Sequence, residues 1–401
     1  MKVSGLDVHK DTIFCAIYNG KTYGEVVEYP TFSEDIRTMG VHLQTEGVKR
    51  IALESTGIYW IPVWNILEEM GFELMLVNPF LIKQMPGRKS DVKDAQWIAK
   101  LLHKGLLRSS LVPDKVIRQL RTYSRKYVKM QGMITRVTQE MERILETCNI
   151  RITSLVSKNN SKSVLSVIEK IIAGEDSVEE LACCIHGRIL NSKGELVRLS
   201  LEGFIQEHHR FSLQLAFEQF KLFTSQLTQL EEKMEEICDS HYPRQMKLLM
   251  SIDGIGKQAA MQIIAETGAD MKAFENSGKL SGWTGLRPRN DESAGKFKSN
   301  AVTHGNKYLR RIMVQCAWAA ARTKGSFYKG KFEQLCVRKS RKKALIAVAR
   351  KLLTVVWHVL SENEPFNPGL LPVYNPRKMQ MKVDYHRREI EKLEKLGYGI
   401  A

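Results

Sequence analysis

A chain of 401 residues exceeds what one ordinary hydrophobic core organises, so two or three domains are expected, and a hydrophobic fraction of 43% makes them globular rather than disordered. Lys+Arg total 61 against 44 Asp+Glu, a formal charge of +17. An excess of that size, clustered late in the chain, is the footprint of a polyanionic partner, with nucleic acid first and simple solubilisation second. Seven scattered cysteines with no CxxC pair exclude a disulfide framework and a cysteine zinc site, and the adjacent Cys183 and Cys184 read as small packed side chains.

The opening "MKVSGLDVHKD" has no signal-like apolar core. Three short β-prone runs follow one another, "KVSGLDVHK", "TIFCAIY" and "GEVVEY", and two more, "RIALEST" and "ELMLVN", alternate with helical stretches. Three strands in a meander, then helix, strand, helix, strand, helix, is the element order of a ribonuclease H-like α/β domain, assigned to residues 1–110.

Residues 111–242 read as a coiled-coil region. Val116, Leu120, Tyr123, Tyr127, Met130, Ile134, Val137, Met141, Ile144 and Cys148 step by four and three. A second seam runs through Leu213, Ala216, Phe220, Phe223, Leu227, Leu230, Met234 and Ile237. Two helices of roughly 35–50 Å, at about 1.5 Å per residue, joined by a polar insert at 151–203, would fold back on each other or pair between chains; a plain helical bundle is the alternative.

Residues 243–365 open with "LLMSIDGIGKQAAMQIIAETG", two helices around Asp253-Gly254-Ile255-Gly256-Lys257. In this helix-hairpin-helix pattern the glycines permit a tight turn and backbone N–H groups hold a phosphate without reading bases; an ordinary helical turn is the alternative. A basic loop, "RNDESAGKFKS", precedes a helix beginning near Asn306 that carries Arg310 and Arg311. A second basic helix, "RKSRKKALIAVARK", carries Arg338, Lys339, Arg341, Lys342, Lys343, Arg350 and Lys351 with no acidic residue and reads as a contact to a nucleic-acid backbone. Arg350 and Lys351 also split the most apolar late stretch, so no membrane partner is expected. The tail, 366–401, with Arg377, Lys378, Lys382, Arg387 and Arg388, reads as an ordered helix or a basic arm.

Four carboxylates stand at element ends. Asp7 lies in the first strand, Glu54 ends the fourth, and Asp91 and Asp94, three apart, share a face at the start of a predicted helix. Each alone has a plain reading as a turn, a cap or a favourable helix-dipole charge. Together they are the oxygen ligands that Mg2+ requires, and two such ions about 4 Å apart stabilise both the attacking and the leaving oxygen of a phosphodiester displacement. His9 and His103 are weaker metal candidates.

The stretches "GLDVHKD", "ALESTGIYW", "VNPFLIKQMPGRKSDVKDAQWIAKLL" and "GWTGLRPRNDESAGK" followed by "HGNKYLRRIMVQCAW" resemble the DEDD transposases of bacterial insertion-sequence family 110, which include Piv-type DNA invertases, over residues 1–150 and 243–325. The resemblance implies a RuvC-like N-terminal domain whose acidic tetrad falls on Asp7, Glu54, Asp91 and Asp94, and a C-terminal transposase domain whose nucleophilic serine falls on Ser293. Ala294 before Gly295 departs from the family's Ser-Gly context. It further implies guidance by a structured bridge RNA pairing with double-stranded donor and target DNA, and a homo-oligomer, dimer or tetramer, whose domains combine across protomers. The setting implied is the bacterial cytoplasm, at the nucleoid.

A serine hydroxyl is a poor nucleophile at neutral pH, so Ser293 needs a base or nearby metal ions. Attack on DNA would conserve the ester as phosphoserine, from which a hydroxyl of another strand displaces the serine without ATP. Arg287, Arg289, Lys296 and Lys298 would hold neighbouring phosphates, with Gly254, Gly256, Lys257, Arg310, Arg311, Arg341 and Lys342 as further nucleic-acid contacts. Three other readings stay open: a metal-dependent nuclease or junction resolvase using water, a non-catalytic nucleic-acid scaffold, and an actin-like or sugar-kinase ATPase, the last disfavoured by the lack of a further glycine-rich phosphate loop.

Overall fold

The first strand, β1 (Val3–Val8), is buried at all its positions, which is what a central strand covered on both faces requires. In this computed structural model, which describes residues 1–54, 57–78, 91–288, 291–293, 296–299, 301–370 and 376–397, the chain divides into two units, Met1–Asp114 and Lys115–Ala401.

In the first unit β2 (Thr12–Tyr18) pairs antiparallel with β1, and β3 (Val27–Pro30) antiparallel with β2. Helix α1 (Ser33–Thr45) then crosses to β4 (Arg50–Glu54), parallel to β1, and α2 (Trp60–Glu69) crosses to β5 (Glu73–Val77), parallel to β4. Helix α3 (Asp91–His103) closes the unit. The sheet order is β3-β2-β1-β4-β5, the meander-plus-parallel arrangement expected of a ribonuclease H-like domain. Leu6, Val8, Ile51 and Leu53 pack with Ile36, Met39 and Leu43 of α1 and Leu67 of α2, while Val3, Ala52 and Val77 pack with Ile98, Ala99 and Leu102 of α3. Each fully buried Leu or Ile contributes about 1.5–3 kcal/mol.

The second unit begins with two long helices, α4 (Lys115–Thr147) and, after the insert, α8 (Glu207–His241). They run antiparallel: Val137, Met141 and Leu145 share a cluster with Leu213, Ala216, Phe217 and Phe220, whereas Tyr127 neighbours Glu231 at the other end. Burial follows the expected seam at Leu120, Tyr127, Met130, Val137, Met141 and Cys148 but falls on Ile117, Ser124 and Leu145 elsewhere.

The insert is not the polar connection its composition implied. It holds α5 (Lys162–Ile172), α6 (Val178–Ala182) and α7 (Gly187–Leu201), and Val164, Val167, Ile168, Ile171, Leu181 and Val197 bury an apolar face against the ends of α4 and α8. Cys183 is exposed and Cys184 half-buried, correcting the expectation that both are packed.

Next come α9 (Pro243–Met250), α10 (Lys257–Thr267) and α11 (Ser277–Thr284), the two-stranded hairpin β6 (Asp291–Ser293) and β7 (Lys296–Ser299), then α12 (Lys307–Arg322), α13 (Phe327–Cys336), α14 (Arg341–Glu362) and α15 (Pro376–Lys395). Among the described residues α14 alone is long and apolar enough to span a membrane, yet Ala344, Leu345, Val348, Leu352, Val356 and Val359 are buried in this unit.

Candidate functional site

The alternation of β1 decides where the first carboxylate goes. Leu6 and Val8 enter the core under α1 and α2, so Val3, Gly5 and Asp7 face α3. A Cβ at Gly5 would lie 2.3 Å from the Ala95 carbonyl oxygen and 2.4 Å from the Ala99 nitrogen. The absent side chain is what lets α3 lie directly on the strand and bring its first turn, with Asp91 and Asp94, toward Asp7. Strand β4, in register with β1 through Leu6 opposite Leu53, ends on Glu54 at the same edge.

Asp7 and Glu54 are buried, Asp94 is half-buried and Asp91 is exposed. Burial pushes the Asp7 carboxyl from its ordinary 3.8 up to about 6; His9 draws it down, and Glu54, Asp94 and Asp91 each push it up. Glu54, Asp94 and Asp91 therefore each lie near enough to act on Asp7, while the ligand atoms that come within 4.8 Å of one another are those of Asp7, His9 and Asp91. No lysine or arginine among the described residues figures in what lowers Asp7. Carboxylate oxygens gathered around a buried one suit a hard divalent cation. His103 instead packs edge-on against Tyr18, with centroids 5.3 Å apart, a structural role.

In the second unit Ser293 ends β6 and pairs with Lys296, the first residue of β7, while Glu292 pairs with Phe297 and Asp291 with Ser299. The segment read as a loop is thus a hairpin in part; Arg289, Ala294 and Gly295 lie outside the described residues. Its base is tied by the Thr303 N–H donating to the Arg287 carbonyl at 3.0 Å and by a bridge from Pro288 to Val302. Beside that base, Leu286, Pro288 and Val302 face Arg338, Lys339, Lys342, Lys343 and Arg350 across a cleft of about 740 Å³. Arg338 and Lys339 precede α14 rather than belonging to it, and Arg341, Lys342 and Lys343 occupy its first turn with no acidic residue. Cations at the positive end of a helix cost about 0.3–1 kcal/mol each unless an anion sits there. Arg310 of α12 is half-buried, and exposed Arg311 reaches Gln131 at 3.4 Å.

The turn between α9 and α10 distributes its three expected phosphate contacts differently. Gly254 adopts φ +86°, and a Cβ there would meet the Cys316 carbonyl oxygen at 2.6 Å, so this glycine serves packing against α12. Lys257 is ion-paired with Glu235 of α8. Gly256 caps α10 beside open space, leaving its N–H groups presentable.

Sequence reading missed a buried charge network in this unit. Glu266 of α10, with no exposed surface, receives both Nε and Nη2 of Arg125 at 2.9 Å. Arg121 lies alongside, donating to the carbonyls of Ala265 and Glu266 at 2.9 and 2.8 Å. Burial lowers the Arg121 guanidinium to about 10; for Arg125, burial is outweighed by the hydrogen bond and charge of Glu266, and its pKa rises. Asn306 Nδ2 donates to Glu266 at 2.6 Å while its Oδ1 accepts from Tyr308 and Leu309 N–H, capping α12. The start of α12, and with it the chain leaving the hairpin, is fixed to α4 and α10. No local pattern reveals a contact between residues some 140 positions apart.

A meander-and-parallel sheet with carboxylates gathered at the end of its first strand defines a DEDD-type domain, and comparison with known proteins agrees. The DEDD transposase model of the IS110 family matches residues 4–150, and the model for transposases of the IS116/IS110/IS902 family matches residues 246–330. The chain belongs to the IS110 family of transposases. It is 24% identical over 328 residues to the transposase-family protein y4pF/y4sB of Sinorhizobium fredii, covering 79% of this chain and 74% of that one. It is 21% identical to the transposase for insertion sequence element IS1111A of Coxiella burnetii over 92% of each. Identity to the pilin gene-inverting protein of Moraxella bovis is 26%, over 36% of this chain and 46% of that protein. Among solved structures, Thermus thermophilus RuvC aligns at 13% identity with a TM-score of 0.20, covering 27% of this chain and all of RuvC. The fold assignment rests on the strand order.

Proposed function

We propose that the chain is a DNA transposase or recombinase that cleaves and rejoins donor and target strands, with Asp7, Glu54, Asp91 and Asp94 holding one or two Mg2+ ions and Ser293 as nucleophile. The observation that supports this reading is at the end of β1, where burial, with Glu54, Asp94 and Asp91 each adding to it, raises Asp7 to about 6. Bound divalent ions would supply charge stabilisation for the phosphoryl oxygens and a lowered barrier to the serine alkoxide.

The Ser293 oxygen would attack the scissile phosphorus, its proton passing to a base and an equivalent proton reaching the departing oxygen, so that the strand leaves as a free hydroxyl. A hydroxyl of the partner strand then attacks the phosphoserine, restoring the phosphodiester and the serine. Strand exchange is balanced, one ester broken for each formed. The cationic cleft of Arg338, Lys339, Lys342 and Lys343, with Arg287 and Arg341 nearby in sequence, would receive the backbone phosphates. The exposed ion pair between Lys257 and Glu235 is weak enough for a phosphate to compete with. Family resemblance supports a bridge RNA as the guide and assembly as a dimer or tetramer.

Purified protein with its co-purifying RNA, incubated with donor and target DNA and Mg2+, tests the reading. Ser293→Ala should abolish a covalent protein–DNA adduct while retaining binding, and Asp7→Asn should abolish cleavage. Cleavage retained by Ser293→Ala would replace the covalent mechanism with water attack, as in a nuclease or resolvase; activity retained by Asp7→Asn with Asp94→Asn would leave only a scaffold. Sequencing should find one discrete RNA species, and random cellular RNA would remove the guide.

A further inference from the structure

The histidine two residues after Asp7 has no part in the acidic tetrad, yet the strand places it there. Residues two apart on an extended strand share a face, so His9 extends the series Gly5, Asp7 toward α3. Its Nε2 lies 3.4 Å from Asp7 Oδ2 and 3.7 Å from Asp91 Oδ1. Both separations exceed a good hydrogen bond. That nitrogen is shielded from solvent and has no hydrogen-bond partner among the described residues, although the rest of the ring is partly exposed. The ring is held in place: its edge meets Phe14 at 80° with centroids 6.1 Å apart, and the His9 N–H donates to the Thr12 carbonyl at 2.9 Å in the turn to β2.

One ligand atom from each of Asp7, His9 and Asp91 lies within 4.8 Å of the others. Adjacent ligands of a six-coordinate ion are about 3 Å apart when metal–ligand distances are about 2.1 Å. A contraction of less than about 1 Å at each histidine contact, and of no more than about 2 Å between the two carboxylates, would therefore place all three on one ion, and it would satisfy the orphaned nitrogen.

We propose that His9 is a nitrogen ligand of the divalent ion at this site, making one position mixed oxygen and nitrogen and biasing it toward manganese over magnesium. The inference rests on the metal reading of the carboxylates. Magnesium keeps oxygen ligands and sheds water reluctantly, whereas imidazole binds the later divalent ions progressively better and manganese accepts carboxylate and imidazole together.

The test uses the full chain loaded with MnCl2 and read by three-pulse electron spin echo envelope modulation, which detects directly coordinated 14N. Wild-type protein should show the nitrogen modulation. His9→Phe, which keeps the edge contact with Phe14, should lose it, bind Mn2+ on the order of tenfold more weakly, and bind Mg2+ within about twofold of wild type. His9→Ala serves if His9→Phe does not fold. Bound Mn2+ without nitrogen modulation, or unchanged modulation in His9→Phe, overturns the His9 assignment while leaving the carboxylate site standing. Absence of Mn2+ binding in the wild type overturns both.

Discussion

Asp7 and Glu266 are both buried carboxylates, one in each unit, and their surroundings are opposite. Glu266 is enclosed by two arginines and the Asn306 amide, so its charge is neutralised by the chain itself. Asp7 is enclosed by three further carboxylates and one histidine, so its charge is aggravated. A buried charge that the fold has already balanced is architecture. One for which the described residues supply no lysine or arginine fits the proposed cation site.

Removing each carboxylate should break that comparison in opposite directions. Glu266→Ala strands two half-buried guanidinium groups, and chemical denaturation should register a loss of about 3 kcal/mol. Gly5→Ala forces a methyl into the backbone of α3; it should cost up to about 3 kcal/mol and, by displacing Asp91 and Asp94, weaken divalent-metal binding in calorimetry while leaving the Glu266 network intact. Asp7→Asn should instead raise metal-free stability at neutral pH, on the order of 1–2 kcal/mol, because the neutral amide ends the repulsion.

The same pKa sets a pH dependence. Asp7 titrates higher in the folded chain than in the unfolded one, so its contribution favours folding below about 4 and is lost as pH rises through about 6. Metal-free wild type should therefore weaken across that window relative to Asp7→Asn, and saturating Mg2+ should restore it. The smallest effect is expected at Lys257→Ala, where an exposed ion pair with Glu235 changes stability by less than about 1 kcal/mol.

The sheet was legible because it is written in short-range pattern: β-prone runs such as "TIFCAIY" and "RIALE", buried along most of their length, with acids at strand and helix ends. The role of Gly5 was not, since only the approach of Ala95 and Ala99, some 90 residues on, gives a missing Cβ its meaning. The insert misled because its apolar residues are spread over three short helices, none with a long seam, and only their packing on α4 and α8 collects them. The basic loop became a hairpin through the backbone pairing of Ser293 with Lys296, in a segment rich in charge and poor in β-prone residues. His9 was visible as a metal candidate, but its buried, unpartnered nitrogen was not.

Isothermal titration of MgCl2 into metal-free wild type and Asp7→Asn tests whether the carboxylates around Asp7 form a cation site. The expected result is saturable binding by the wild type that tightens as pH rises through about 6 and disappears in Asp7→Asn. Saturable binding of equal strength in both proteins, or none in the wild type at pH 8, would contradict it.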